Sequence, residues 1–278
     1  IKRGITMKSF LTVLLSAIFA ISLCVMQHNK EMTFADGYNG ASLENSETVS
    51  INFVRKEDNE IMINGGMPEY SDKIDLANSC ANVAGAILLG YYDKTYDELI
   101  ENFSAARVIR DKILYSKQTE AVDEVMAELY TTMKTNVTEG GTTIGNFKAG
   151  LKEYVNGQGR NISYSQVVSN QSLNFNTYES AIAQEKPVVL FCSKYSLVSL
   201  QAFDAEYGTE QFVMQHYTGN HVVIGYGIRT ITYYDAAGRV LRQLDLLAVA
   251  TGYSFNPFGY IVLDDYGTLI DGYKVNIY

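Results

Sequence analysis

Apolar residues recur at helical spacing through the first half of the chain. Residues 78–93 are apolar almost all round, which is typical of a buried helix rather than a surface one. Four further segments show helical periodicity or capping signals, at 95–100, 117–134, 143–154 and 178–184. We therefore predict that this half is mostly helical.

From Pro187 onward the pattern changes to short apolar runs and to alternation, both typical of strands. These segments lie at 188–192, 221–227, 229–234, 239–244, 246–251, 259–263 and 272–278. Helices followed by antiparallel strands predict an α+β fold, in which a helical N-terminal lobe packs on a C-terminal antiparallel β-sheet.

The N-terminal segment predicts export. Residues 7–35 have a basic start and an apolar run at 10–25, which is short for a membrane span and suits a secretory signal peptide. Residues 1–6 precede the first Met and are interpreted as a misread start. Cys24 raises lipidation as an alternative, although the preceding Leu23 is bulkier than a lipoprotein signal requires. We expect a mature start at Asp36 and a secreted protein, with cell-surface association left open.

The remaining chain divides at a turn. Residues 36–66 are polar and rich in Asn, Ser and Gly, with one alternating stretch at 49–54 that predicts a strand. Gly65 and Gly66, followed by Pro68, predict a turn. We interpret 36–66 as an N-terminal extension or short propeptide, and 67–278 as the main domain.

Charge and cysteine content limit the function classes. Removing residues 1–35 takes away four basic residues and one acidic residue, which changes the formal net charge from −9 to −12. Such acidity disfavours nucleic acid and anionic membranes as partners, and no second apolar run predicts stable membrane insertion. Two cysteines and two histidines remain, too few for a disulfide framework or a zinc site, so we expect neither metal nor cofactor. The oligomeric state is left open.

Cys80 is placed where a nucleophile would lie. It falls in the first turn of the predicted buried helix, after Asn78 and Ser79, both natural N-cap residues. The partial positive charge of a helix N-terminus stabilises a thiolate. The alternatives are a small core residue or half of a disulfide with Cys192.

A histidine and an acid follow on predicted strands. His221 opens an apolar strand, from which its ring could meet a thiol, whereas His216 lies in a predicted loop and ranks second. Asp264 or Asp265, at the end of a later strand, could orient the imidazole. The alternatives are a hydrogen-bonded core histidine and a turn of solvated acids.

These motifs resemble papain-like cysteine peptidases, and more narrowly the C39-like branch of secreted bacterial proteins. The resemblance lies in Asn-Ser-Cys before a hydrophobic helix (78–93), Lys-Pro-Val-Val (186–189), Gly-Asn-His-Val-Val-Ile-Gly-Tyr-Gly (219–227) and the segment 260–273. Cys80 and His221 are 141 residues apart, within the roughly 130–150 typical of papain-like enzymes. The resemblance covers about 67–278.

The resemblance implies a Cys-His-Asp triad that hydrolyses peptide or related amide bonds through a covalent acyl-enzyme. Cys80 would attack, His221 would act as base and then acid, and Asp264 would orient His221, with Asp265 as its alternative. The family places a Gln about six residues before the cysteine, where it helps to bind the oxyanion. Ile74 occupies that position here, so Asn78 becomes the candidate oxyanion donor.

The expected partner is a peptide or protein substrate. The alternatives are an inactive binding domain of the same fold, a transglutaminase-like acyl transferase and, from 21 tyrosines without tryptophan, a surface interaction module.

Overall fold

The computed structural model describes residues 33–34, 41–72, 76–137, 140–263 and 266–278. Thr33–Tyr278 makes one compact unit. The predicted signal peptide lies outside the described residues, apart from Thr33 and Phe34. The predicted cleavage before Asp36 also lies outside them, so export stays a prediction.

The described chain contains four helices and thirteen strands. The helices are α1 (Cys80–Asp93), α2 (Glu120–Thr132), α3 (Ile144–Gly157) and α4 (Phe175–Ala183). The strands are β1 (Thr33–Phe34), β2 (Ser42–Phe53), β3 (Arg55–Met62), β4 (Ala106–Ile109), β5 (Lys112–Tyr115), β6 (Thr142–Thr143), β7 (Ile162–Ser169), β8 (Ser172–Leu173), β9 (Val188–Val198), β10 (Gly208–Tyr234), β11 (Val240–Ala250), β12 (Phe258–Val262) and β13 (Gly267–Ile277).

One antiparallel sheet of nine strands dominates the described residues, and β10 is its central element. The N-terminal half of β10 pairs with β2, and its C-terminal half pairs with β3 and β11. Strands β9, β10, β11 and β12 pair in succession, and β12 pairs back to β9, so these four close a ring. The pairing of β10 with β9 shifts between Thr218 and His221.

The predicted α+β, papain-like fold is wrong. The structure is mostly antiparallel β-sheet, with 45% strand and 22% helix, and it does not show the predicted α+β layout with a helix-bearing lobe. The strand predicted at 49–54 lies at the end of β2, but the rest of β2 and all of β3 were not predicted, because almost all of their side chains are exposed and leave no apolar periodicity. Pairing with β10, rather than local sequence, holds these strands in the sheet.

The boundary predicted at Gly65 and Gly66 does not separate two compact units. Strands β2 and β3 lie before it, yet they belong to the main sheet, and Ile51 and Phe53 of β2 are buried in the common core. Residues 42–62 are therefore an integral part of the domain. Cleavage of 36–66 as a propeptide stays a prediction.

The helix predictions were mostly confirmed. All fourteen residues of α1 are buried, and α2, α3 and α4 lie within or close to the predicted ranges. The predicted helix at 95–100 is wrong, and this segment forms turns. The carboxylate of Asp93 explains the difference, because it accepts hydrogen bonds from the backbone N–H groups of Ile100 (2.9 Å) and Ala105 (3.1 Å) and holds the chain in a turn.

Candidate active site

Cys80 is the first residue of α1, as predicted. Its neighbour Ser79 occupies the N-cap position, but the Ser79 hydroxyl donates to the carboxylate of Asp72 and does not cap the helix. The Ser79 carbonyl accepts from the N–H groups of Asn82 (2.8 Å) and Val83 (3.0 Å). No acidic residue lies in the first turn, but the Asp72 carboxylate bonded to Ser79 lies at the N-terminus of the helix and would partly offset the positive end of its dipole.

His221 lies in the middle of β10, not at the start of a strand as predicted, and it is directly opposite Cys192 of β9, next to the shift in pairing. The His221 ring is buried, and its Nε2 atom lies 2.8 Å from the carbonyl oxygen of Thr251. Because a carbonyl can only accept, Nε2 carries the proton of this hydrogen bond. In the neutral ring, Nδ1 is then the nitrogen with a lone pair, and it is the atom that can act as a base.

Thr251 is held firmly in the loop between β11 and β12. Its backbone N–H donates to the carbonyl of Pro257 at 2.9 Å, and its hydroxyl donates to the carbonyl of Asn256. The same hydroxyl accepts from the N–H of Tyr253 at 3.0 Å. These three hydrogen bonds fix the Thr251 carbonyl, and through it the orientation of the His221 ring.

Tyr253 connects the histidine to the cysteine. Its ring stacks on that of His221, with centroids 4.5 Å apart and planes 4° apart, and its hydroxyl pairs with that of Tyr195 at 2.5 Å. Burial raises the pKa of the Tyr253 hydroxyl well above its usual value, and the negative charge of a Cys80 thiolate raises it further. Tyr253 therefore contacts the His221 ring.

The same loop packs on α1. Gly252 has a φ of +77°, and a Cβ added there would lie 3.1 Å from Cγ1 of Val83, one turn after Cys80. A side chain at Gly252 would thus be strained and would press on the helix. Residues 251–253 bind His221 and contact α1, and α1 itself packs on β10. The 251–253 loop thus contacts both His221 and α1, the helix that begins with Cys80.

The other predicted site residues lie as follows. Asp264 and Asp265 fall outside the described residues, so their role stays a prediction. Asn78 has a φ of 62°, and its side-chain N–H donates to Asn136 Oδ1 at 2.7 Å. His216 lies in β10 rather than in a loop, with Nδ1 2.8 Å from the Ser196 hydroxyl.

Cys192 is a buried thiol of a different kind. It is fully buried, and this burial raises its pKa to about 12, so it stays protonated at neutral pH. Both Cys80 and Cys192 are free thiols, and the disulfide considered from the sequence is not formed. Of the two, only Cys80 lies at a helix N-terminus.

Two residues of this site were missed by the sequence analysis. Thr251 acts through its backbone carbonyl, which no side-chain pattern can indicate, and Tyr253 is one of 21 tyrosines. The one available signal was the Gly-Tyr pair directly after the strand predicted at 246–251, since an aromatic residue after a turn glycine is often held against neighbouring elements.

A groove of about 550 Å³ reaches the surface beside Tyr253. Its walls come from three parts of the chain, namely residues 65–71, residues 113–118 and the loop that follows Tyr253. Phe255 in that loop stacks on Tyr253 at 5.0 Å and is 67% exposed. The stacked rings of His221, Tyr253 and Phe255 thus run from the interior to the surface.

Among the described residues, no three or more His, Cys, Asp or Glu side chains are grouped to hold a metal ion. None of the helices in this part of the chain combines the length and apolar character needed to cross a membrane. Comparison with models of known protein families, with curated proteins and with solved structures found no match. The resemblance to C39-like peptidases therefore stays a prediction from the motifs.

Proposed function

We propose that the chain is a cysteine hydrolase that cleaves peptide or related amide bonds, with Cys80 as nucleophile and His221 as general base. The hydrogen bond from His221 Nε2 to the Thr251 carbonyl carries this proposal. It leaves Nδ1 as the basic nitrogen of a ring packed against Tyr253, beside the helix that begins with Cys80. A histidine whose second nitrogen is oriented by an acceptor is the arrangement that thiol activation requires.

The reaction follows from these groups. His221 takes the proton of the Cys80 thiol, and the sulfur bonds to the substrate carbonyl carbon. Collapse of the tetrahedral intermediate breaks the C–N bond, and His221 returns its proton to the departing amine. Water, deprotonated by His221, then attacks the thioester and releases the acid and the thiol.

Charge on the carbonyl oxygen needs hydrogen-bond donors. The first N–H groups of a helix have no acceptor within the helix, so the backbone N–H of Cys80 supplies one donor. Asn78 stays the candidate for a second, and its amide would have to exchange its bond to Asn136 for one to substrate. In the proposed mechanism the Thr251 carbonyl orients His221 through its Nε2–H, and a role for Asp264 stays a prediction.

Alkylation of the thiols tests the proposal directly. The wild-type chain beginning at Asp36, which lacks Cys24, and its variants Cys80→Ala, Cys192→Ala and His221→Ala are treated with iodoacetamide at neutral pH, and labelling is followed by intact mass. We expect rapid single labelling of wild type and Cys192→Ala, none of Cys80→Ala, and slow labelling of His221→Ala. His216→Ala, a matched histidine on the same strand, should behave as wild type. Labelling of wild type no faster than that of an unactivated thiol would exclude an activated Cys80.

A second candidate is a binding domain without catalysis. The burial of the two central residues favours it, because Cys80 is 4% and His221 2% exposed. This candidate predicts no hydrolysis of a quenched-fluorescence peptide library and slow alkylation of every variant. An acyl transferase would share the fast alkylation, and incorporation of a labelled amine in place of water would identify it.

A further inference from the structure

The hairpin formed by β4 and β5 presents an unusual outer face. Opposite residues of an antiparallel pair share a face, and the register places Arg107 against Leu114 and Ile109 against Lys112. All four side chains are exposed, with Ile109 and Leu114 at 47% and 46%. Two aliphatic side chains and two cations therefore stand side by side in solvent.

The charge of this hairpin is opposite to that of the chain. Residues 104–118 contain four basic residues and one acidic residue, whereas the whole sequence has a net charge of −9. Arg110 adds a third exposed cation at the turn, next to Asp111. The hairpin is thus a local cationic surface on an acidic protein, and it would attract acidic groups.

The hairpin is fixed to the groove beside Tyr253. Leu114 belongs to the exposed face and also lines that groove. Gln118, just after the hairpin, exchanges two hydrogen bonds with the backbone of Ser71, at 2.8 and 3.1 Å. Glu69 and Lys117 both line the groove, so the groove itself has balanced charge and any selection by charge falls to the hairpin face.

Strand β4 offers backbone groups to an extended chain. Within the part of the chain that the structure describes, β4 pairs with β5 alone, and so no other described strand occupies its second edge. An added peptide strand would place alternate side chains on the face that carries Arg107 and Ile109.

We propose that this hairpin binds the substrate as an extended peptide in which acidic residues neighbour aliphatic ones. Carboxylates would pair with Arg107 and Lys112, aliphatic side chains would cover Ile109 and Leu114, and the chain would continue into the groove beside Tyr253. This proposal deepens the proposed function. Calling the bound peptide a substrate rests on the proposed hydrolase activity, whereas binding of a peptide at the hairpin does not. A peptide rather than an anionic membrane is favoured, because the strongly acidic remainder of the protein would be repelled by such a membrane.

Binding is measured on full-length Cys80→Ala protein, which separates recognition from catalysis. The probes are a fluorescein-labelled peptide of Glu-Ser-Leu-Ser repeats, which places glutamate and leucine in turn on one face of an extended strand, and its counterpart with glutamine at each glutamate. The test variant carries Arg107→Glu and Lys112→Glu. The control carries Lys134→Glu and Lys152→Glu, two exposed lysines outside the hairpin, and therefore has the same net charge. Thermal unfolding confirms that both are folded.

We expect the glutamate peptide to bind roughly tenfold more tightly than the glutamine peptide, since several exposed charge pairs are lost in the latter. The hairpin variant should lose this preference, and the control should keep most of it. Equal binding of both peptides, or equal loss in both variants, would overturn the proposal. So would charge-dependent binding only to phosphatidylglycerol vesicles. If Cys80 is not alkylated rapidly but the peptide preference is found, the hydrolase proposal fails while the recognition surface stands.

Discussion

Replacing Thr251 with valine tests whether the loop orients His221. Valine has nearly the shape of threonine but lacks the hydroxyl that bonds to the Asn256 carbonyl and the Tyr253 N–H. Thr251 is buried, so the site should accommodate valine without a cavity. The perturbation is therefore the loss of two hydrogen bonds that hold the carbonyl facing His221 Nε2.

The magnitude follows from the burial of the two partners. Tyr253 is buried, and leaving its N–H without an acceptor costs about 1–3 kcal/mol. Asn256 is partly exposed, so water can replace the lost donor at little cost. For a domain of this size, each kcal/mol lowers Tm by roughly 2–4 °C. We thus expect a folded variant whose Tm falls by roughly 2–12 °C.

The functional effect is measured as the rate at which iodoacetamide labels the protein at neutral pH. When the Thr251 carbonyl is held less firmly, the His221 tautomer protonated at Nε2 is less strongly preferred. Nδ1 is then less often available as a base, so a smaller fraction of the Cys80 thiol is activated. Loss of about 1.4 kcal/mol of imidazole–thiol interaction would slow labelling about tenfold. Thr251→Ser keeps the hydroxyl and loses one methyl group, at about 0.8 kcal/mol, and should label as fast as wild type.

Equal labelling rates for the valine and serine variants would refute the reasoning, even if both were destabilised. That result would mean that the Thr251 hydroxyl supports only the stability of the loop. A slow valine variant beside a fast serine variant would instead assign the hydroxyl to the positioning of His221.

Three further predictions concern stability and the second cysteine. Gly150→Ala should strongly lower the free energy of unfolding in urea, because its Cβ would lie 2.5 Å from the backbone N of Met133. A Cβ at Gly157 in the same helix meets nothing within 4 Å, so Gly157→Ala should cost nothing or stabilise by about 0.5–1 kcal/mol. Similar effects of the two substitutions would contradict the packing described. Burial raises the pKa of Cys192 to about 12, so this thiol should resist alkylation up to about pH 10 in the folded protein and react near pH 8.5 in urea. A rise in its alkylation rate near pH 8.5 in the folded protein would show that Cys192 is not buried. Lys56→Met should lower the free energy of unfolding by about 3–5 kcal/mol, because the buried Glu210 carboxylate loses the ammonium group 3.0 Å away. The double variant Lys56→Met with Glu210→Leu should recover much of this stability. A double variant less stable than the single one would argue against the ion pair as the cause.

Local pattern was sufficient for the helices and for part of the sheet. Helices α2 and α3 carry apolar residues at helical spacing that are buried in the structure, and α1 is buried on every side, as its composition indicates. The apolar segments at 188–192 and 221–234 lie in β9 and β10. In each case the sequence alone predicts the buried face, because burial requires apolar side chains at a fixed period.

Strands held by pairing alone could not be found in this way. Most of β2 and all of β3 and β4 expose nearly all of their side chains, so polar residues are tolerated there and no periodicity develops outside the stretch predicted at 49–54. The partners of β2 and β3 lie far away in sequence, with β2 reaching β10 more than 150 residues later, whereas β4 pairs with the neighbouring β5. The error in fold class follows directly, because these strands occupy the half of the chain that was predicted to be helical.

The candidate site divides in the same manner. The sequence alone placed Cys80 at the start of a buried helix and His221 on a strand, because both positions depend on local periodicity. The tertiary structure decided what surrounds them. The Thr251 carbonyl and the Tyr253 ring reach His221 from the loop after β11, 30 and 32 residues away along the chain. A backbone acceptor has the same chemistry in every residue, so only the fold can select the one that orients an imidazole.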